Sequence, residues 1–218
     1  MDTRKATHNL WLARGACFFQ VACVAQLSVF EAVHMTEQGL SGTATGLLLA
    51  VANLLVIITS PFWGRIADRH RFYRRLIAIG TVGMSGTLIW FAVSDSFIDF
   101  LIYAVARGAL TSSIMGVMPA LALANLPKEG QGRGYGGYRS FGSIGFMASA
   151  LLMPVLFSSI QSIGLVLAFL LPVSLIFVFS LERPPPRTQQ EEQAFRGKLP
   201  GLLYGFLAAH FLVCLTEP

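Results

Sequence analysis

Charge is what this sequence has least of. Charged residues fill 12% of its 218 positions, about half the share found in soluble domains. Hydrophobic residues make up 54% and mean hydropathy is +0.63, more apolar surface than a water-soluble fold of this size can hide. Cysteine is rare as well. Cys17, Cys23 and Cys214 lie in apolar runs with no C-x-x-C spacing, which excludes a disulfide scaffold or thiolate metal centre and leaves three small packed hydrophobes. No metal and no cofactor is implied. Acidic residues number 11 against 16 Lys and Arg, a net charge of +5 with a pI of about 9.4. The cations stand between apolar runs, where they act as topology signals, so no nucleic-acid partner is expected.

What the chain has instead is long apolar runs. Six of them, at about 10–35, 41–63, 75–94, 97–124, 137–158 and 162–181, match the ~20 residues that cross a hydrocarbon layer. Backbone polar groups in lipid must pair within their own segment, so these runs are expected to be helices. The first run is longer than the apolar core of a cleaved signal peptide and is read as a span. A seventh run begins near Leu199.

Lys and Arg orient the bundle. Arg4, Lys5 and Arg14 stand at the start, and Arg65, Arg69, Arg71, Arg74 and Arg75 lie between spans two and three. Lys128 and Arg133 lie between four and five, with Arg139 at the edge, and Arg183, Arg187, Arg196 and Lys198 follow span six. The alternate connections, MTEQGLS, VSDS and SSIQS, hold none. This asymmetry predicts an inner-membrane protein with a cytoplasmic N-terminus and an even number of spans before the stretch ERPPPRTQQEEQAFRGKLPG. The three prolines of that stretch cannot continue a helix, so it reads as an exposed connection. The expected organisation is a six-helix bundle at 1–182, a cytoplasmic linker at 183–198 and the start of a seventh helix at 199–218.

The connection after span two reads PFWGRIADRHRFYRR. It resembles the signature loop of the major facilitator superfamily, Gly-x-(Leu/Ile)-Ala-Asp-Arg followed by basic residues. Gly64, Ile66, Ala67, Asp68 and Arg69 match in place, with Arg74 and Arg75 as the basic tail; the family's later glycine is missing, and Arg71 or Phe72 stands where it would fall. Gly64 is expected to permit a tight turn, and Asp68 to meet a helix N-terminus or an arginine of the other bundle. The resemblance implies a conformational-gating loop. The plainer reading is a positive-inside loop with one stray aspartate.

A second stretch, RGYGGYRSFGSIGF, resembles the fifth-helix segment of the lactose permease and phenylpropionate–nucleoside permease branch. Arg139, Phe141, Gly142, Ser143, Gly145 and Phe146 carry the likeness. It implies that Arg139 binds solute hydroxyls and an aromatic such as Phe146 stacks on the solute; the alternative is an Arg139 that snorkels to the membrane surface. The acidic sugar-binding residue of that permease has no counterpart, since MPALALANLP stands there. Gly142 and Gly145, three apart, let a neighbouring helix approach closely.

Arg107 lies ten residues into the fourth run, ~15 Å deep, where an arginine costs ~2.5–3.5 kcal/mol and needs an interior partner. Many proton-coupled members of the resembled family carry an Arg at this place, though the Gln and Gly that usually follow are absent here. Glu31 is the best carboxylate candidate, with a charge state set by burial against a nearby cation. A purely structural ion pair is the alternative. His34 shares a helix face with Glu31 and is expected to face head groups rather than join a proton relay. Asn53, Gln20 and Gln26 are ligands or interhelical glue, with Gln26 ranked first of the two glutamines.

Gly132-x-Gly134-x-x-Gly137 fits a dinucleotide pattern but no strand precedes it. Gly83-Met-Ser85-Gly86 fits the G-x-S-G of an intramembrane serine protease, for which His210 is the only intramembrane base at suitable depth; Ser85 is better read as part of a packing face. The resulting expectation is an all-α membrane protein, the amino-terminal six-helix bundle of a major facilitator fold plus a partial seventh helix, built of two inverted three-helix repeats. The function it implies is secondary transport of a small polar or anionic solute, driven by protons, in partnership with the lipid bilayer and a missing carboxyl-terminal bundle. A half-length subunit without activity of its own is the second reading, and a protease the third.

The orientation is testable. Ser41→Cys, Ser96→Cys, Ser159→Cys and Gln190→Cys, each in a cysteine-free background, should respond differently to an impermeant thiol reagent added outside cells. The first three are expected to label and the fourth to be spared; labelling of the Gln190→Cys variant overturns the topology.

Overall fold

The computed structural model describes the backbone of residues 3–126 and 130–182, and side chains from residue 7 onward within those ranges except 26 and 27. The linker and the start of a seventh helix, with Cys214 and His210, lie outside the described residues. Eight helices follow in order: α1 Thr3–Glu37, α2 Gly42–His70, α3 Tyr73–Val93, α4 Phe97–Met115, α5 Val117–Ala124, α6 Gln131–Leu156, α7 Ile160–Leu170 and α8 Val173–Ser180. Among the described residues there is no strand. Two pairs are single spans broken by proline. Pro119 crowds the carbonyl four residues back, at Met115, where α4 gives way to α5, and Pro172 separates α7 from α8. Counted so, six helical segments are long and apolar enough to cross a bilayer.

The helices overrun the apolar runs at the end of the bundle that carries the arginines. Residues 64–70 continue α2, so Gly64 sits inside a helix with open space around its Cα and makes no turn. The turn is only Arg71 and Phe72, and Arg71 adopts the left-handed conformation, φ 55° and ψ 29°. Of the two residues that stand where the family's glycine would fall, Arg71 is the left-handed one, at a conformational cost of about 1–2 kcal/mol. Likewise α6 begins at Gln131, six residues before the apolar run at 137, with Gly130 (φ 73°) as its left-handed N-cap. Hydropathy marks where lipid ends; hydrogen bonding decides where a helix ends, and a helix that emerges into head groups loses no backbone bond.

Pairing within the bundle is ordered. α1 packs most extensively on α6 and α2 on α4; α3 packs on α4 and α7, and α1 on α7 and α8. Exchange of spans one, two and three for four, five and six maps the one–five pair onto four–two, and one–six onto four–three. Successive spans alternate in direction, so the exchange inverts the unit, as an inverted three-helix repeat requires.

Close approach at these crossings depends on missing side chains. A Cβ on Gly145 of α6 would stand 2.4 Å from the backbone oxygen of Phe18 on α1, and one on Gly142 would stand 2.9 Å from Cys17 Sγ. The matching crossing of α4 on α2 puts Gly108 against the backbone oxygen of Ala52, also 2.4 Å from a built Cβ. Polar contacts tie the same crossing: Trp63 Nε1 donates to the Ala109 carbonyl (2.7 Å), and Thr59 Oγ1 meets Ser112 Oγ (2.6 Å). On α3, Gly83 packs on Leu110 and the buried Ser85 donates to the Thr81 carbonyl.

Gly145→Ala should therefore destabilise the protein by about 1–3 kcal/mol, because backbone cannot step aside. Gly64→Ala is expected to be neutral or stabilising by up to about 1 kcal/mol. Thermal unfolding of both variants in one detergent checks the contrast.

Candidate functional site

An arginine in the membrane interior must find an acid, and here it does. Arg107 Nε lies 2.6 Å from Glu31 Oε1, with the side chains 9% and 1% exposed. Arg107 is on α4 and Glu31 on α1, so the pair ties the first and fourth spans. The Nε–H is not aligned with the short contact, and proximity of opposite charge holds the pair more than an aimed hydrogen bond does. Tyr103 supplies the aligned bond: its hydroxyl donates to the same Glu31 Oε1. Tyr103 precedes Arg107 by four residues and so projects from the same face of α4.

Aromatic rings pack on Tyr103 and on His34, the neighbours of the pair. Phe91 of α3 lies 4.6 Å, centroid to centroid, from Tyr103. His34, one turn beyond Glu31, stands edge-on to Phe91 at 4.7 Å and to Phe100 at 5.7 Å. His34 is 1% exposed, which corrects the expectation that it faces head groups: the rings of α3 and α4 enclose it. Glu31 Oε2, Arg107 Nη1 and His34 Nε2 have no hydrogen-bond partner in the structure. A buried cluster with a short ion pair and spare polar atoms is chemically equipped to exchange a proton or receive a polar ligand.

The other candidates lie elsewhere. Asn53 is exposed on α2; Arg139 and Phe146 are exposed on α6. None of these three joins the Glu31 cluster. α2 and α6 are the least enclosed spans, with 17% and 22% of their apolar windows buried against 50% for α3, and Asn53, Arg139 and Phe146 stand on their open faces. Gln20 is buried and its Nε2 unpartnered; the side chain of Gln26 lies outside the described residues. In the loop region, Asp68 accepts a hydrogen bond from the Tyr73 hydroxyl at 2.6 Å, across the turn to the first residue of α3. Gly64 and Arg69 belong to the last turns of α2, and Arg74 and Arg75 to the first turn of α3. Among the described residues no cluster of His, Cys, Asp or Glu could hold a metal.

The profile of the MFS_1 like family matches residues 10–198. The chain belongs to the major facilitator superfamily. An uncharacterized transporter, YwbF, of Bacillus subtilis (strain 168) is 30% identical over 181 residues, 79% of this chain and 42% of that protein. A multidrug resistance protein, MdtG, of Dickeya zeae (strain Ech586) is 27% identical over 68% of the chain and 36% of its own length. A maltose permease of Geobacillus stearothermophilus is 29% identical over 55% of the chain and 30% of its own length. The chain thus spans about two-fifths or less of the curated relatives it matches. The relatives are named as a transporter, a multidrug resistance protein and a permease, and the all-helical six-span bundle of this chain agrees with an amino-terminal major facilitator bundle.

Sequence reasoning missed Tyr103 and the Phe91 and Phe100 rings. The signal for Tyr103 was its i, i+4 spacing to Arg107; nothing in the sequence announces a ring delivered from α3.

Removing one partner of this pair should cost more than removing both charges. Arg107→Ala leaves a carboxylate buried without compensation and is expected to destabilise by about 3–5 kcal/mol. The double variant Glu31→Gln, Arg107→Gln should recover a large part of that loss. Denaturation of the single and double variants measures the difference, and additive losses would contradict the pairing.

Proposed function

We propose that this chain forms one six-helix half of a proton-coupled secondary transporter of the inner membrane. Its N-terminus is cytoplasmic, and the solute is small and polar or anionic. The observation that carries the reading is the buried Glu31–Tyr103–Arg107 cluster joining the first and fourth spans, within a family of transporters. A charged pair at this depth is costly to assemble and adds little stability that apolar packing would not supply. Its value lies in changing state: protonation of Glu31 cancels the charge opposing Arg107 and loosens the tie between the two repeats.

The solute site is proposed between bundles, where the open faces of α2 and α6 bring Asn53, Arg139 and Phe146 toward a second bundle. Arg139 and the exposed Phe146 suit a solute with hydroxyl or anionic groups and a ring face. In this reading Arg139 lines the cavity, as the likeness to the lactose permease branch implies. The gating role of Gly64, Asp68, Arg69, Arg74 and Arg75 is part of the same proposal. Asp68, already bonded to Tyr73, holds α2 and α3 in register across a two-residue turn, which makes the turn a rigid lever at the bundle's edge. A half-length subunit without activity of its own stays the second reading.

Transport is best tested with the two halves together. The chain is co-reconstituted with a carboxyl-terminal bundle from its own coding sequence or, failing that, from a relative, in proteoliposomes holding a pH-sensitive dye. A solute panel would begin with maltose and with drugs, after the relatives' names. The wild-type pair is expected to acidify the lumen in response to one solute class, and the chain alone to give none. The Glu31→Gln, Arg107→Gln variant should equilibrate that solute but not accumulate it against a gradient. Uphill accumulation by that variant reduces the cluster to a structural part; saturable uptake by the chain alone requires a cavity built from two copies.

A further inference from the structure

Where α2 turns into α3, the surface is hollowed. A cavity of about 390 Å³ is lined by six consecutive residues, His70 to Arg75, and by Phe179 near the end of α8. Three arginines contribute to its wall. The Phe72 ring organises two neighbouring side chains: the Arg75 guanidinium lies 5.0 Å over it, and the His70 imidazole stacks on it at 5.6 Å with the planes 23° apart. Arg71 faces the same cavity from the left-handed conformation, where glycine would avoid the conformational cost. The first turn of α3 adds donors, since its N-cap, Phe72, makes no side-chain capping bond and the turn holds no acid. Phe72 and Phe179 are 45% and 53% exposed, so the hollow has aromatic rims as well as a cationic wall.

Its place in the fold decides the ligand. The cavity sits where three membrane spans reach their ends, beside the arginines that follow the apolar runs, where a lipid phosphate is expected. Aromatic rings are favoured at that level, with arginines above them. We infer that this hollow is a binding site for the phosphate of an anionic phospholipid head group, held by Arg71, Arg75 and the first turn of α3, with Phe72 and Phe179 against the glycerol and upper acyl chains. Bidentate guanidinium contacts suit a phosphate diester, and an anion there completes the uncapped helix start. The lipid would stiffen the short turn that links α2 to α3. The inference depends on this turn and not on which solute is carried, so its failure leaves the transport reading intact.

The test uses the whole chain in nanodiscs of phosphatidylcholine doped with phosphatidylglycerol, with thermal unfolding as readout. Phosphatidylglycerol should raise Tm saturably. Arg71→Gly and Arg75→Gln should each weaken the apparent affinity about fivefold, as expected for one interfacial arginine. Arg71→Gly separates binding from folding, because glycine suits φ 55° and its Tm in pure phosphatidylcholine should not fall. Arg65→Gln, at the same end but outside the cavity, should change the affinity less than about twofold. Equal weakening by Arg65→Gln, Arg71→Gly and Arg75→Gln, or an unsaturable rise, means diffuse surface attraction and overturns the site. Equal stabilisation by inorganic phosphate or soluble glycerol phosphate in pure phosphatidylcholine assigns the hollow to a soluble anion and overturns the lipid assignment.

Discussion

A backbone amide in hydrocarbon has no water to turn to, and the rest of this structure follows from that constraint. Each span must close its own hydrogen bonds, so the described chain is helical almost throughout. The side-chain hydroxyls of Thr59, Ser85 and Thr87 bond carbonyls one turn back on their own helices, which removes most of their need for partners elsewhere. Helix association must then come from contact distance, because lipid tails compete with every leucine. The glycines at the crossings meet this need. Gly145 against Phe18 and Gly108 against Ala52 bring backbones together where any side chain would hold them apart. The two crossings are equivalent under the exchange of the three-helix units, with the glycine on span five in one and on span four, the counterpart of span one, in the other.

The Glu31–Arg107 pair stands apart from this economy. It sits between α1 and α4, the two helices that lead the repeats, which otherwise share little contact surface. A bundle built only for stability would fill that place with apolar side chains. The pair is instead buried, and an aligned Tyr103 hydroxyl fixes one carboxylate oxygen while leaving the other unpartnered. Burial strengthens the charge–charge attraction and also raises the cost of holding either charge alone. In the proposed function, a change in protonation there would act on the relation between the repeats.

The open faces of α2 and α6 complete the picture. Both helices pack closely along one side, on α4 and α1 respectively, and present Asn53, Arg139 and Phe146 on sides left uncovered by the bundle. Polar side chains on an uncovered helix face are uncomfortable in lipid. Their comfort depends on a covering surface, and the relatives, each more than twice the matched length, have room for one.

Six spans were legible in the sequence because hydropathy and helix length answer to the same bilayer thickness, and the family was legible because Gly64 to Arg69 keep a fixed spacing. A requirement for an acid near Arg107 was also readable, since the cost of an isolated charge in lipid is large. Helix ends were not. The continuation of α2 to His70 and the early start of α6 at Gln131 are set by backbone bonding beyond the apolar runs, which hydropathy does not register. Tertiary structure alone decided that Gly64 is a helical residue and Arg71 the left-handed one, that His34 is enclosed by Phe91 and Phe100, and that Tyr103 shares the carboxylate. Each of these depends on what a neighbouring span delivers to a given depth and face, and a sequence read along one span at a time holds depth but not neighbours.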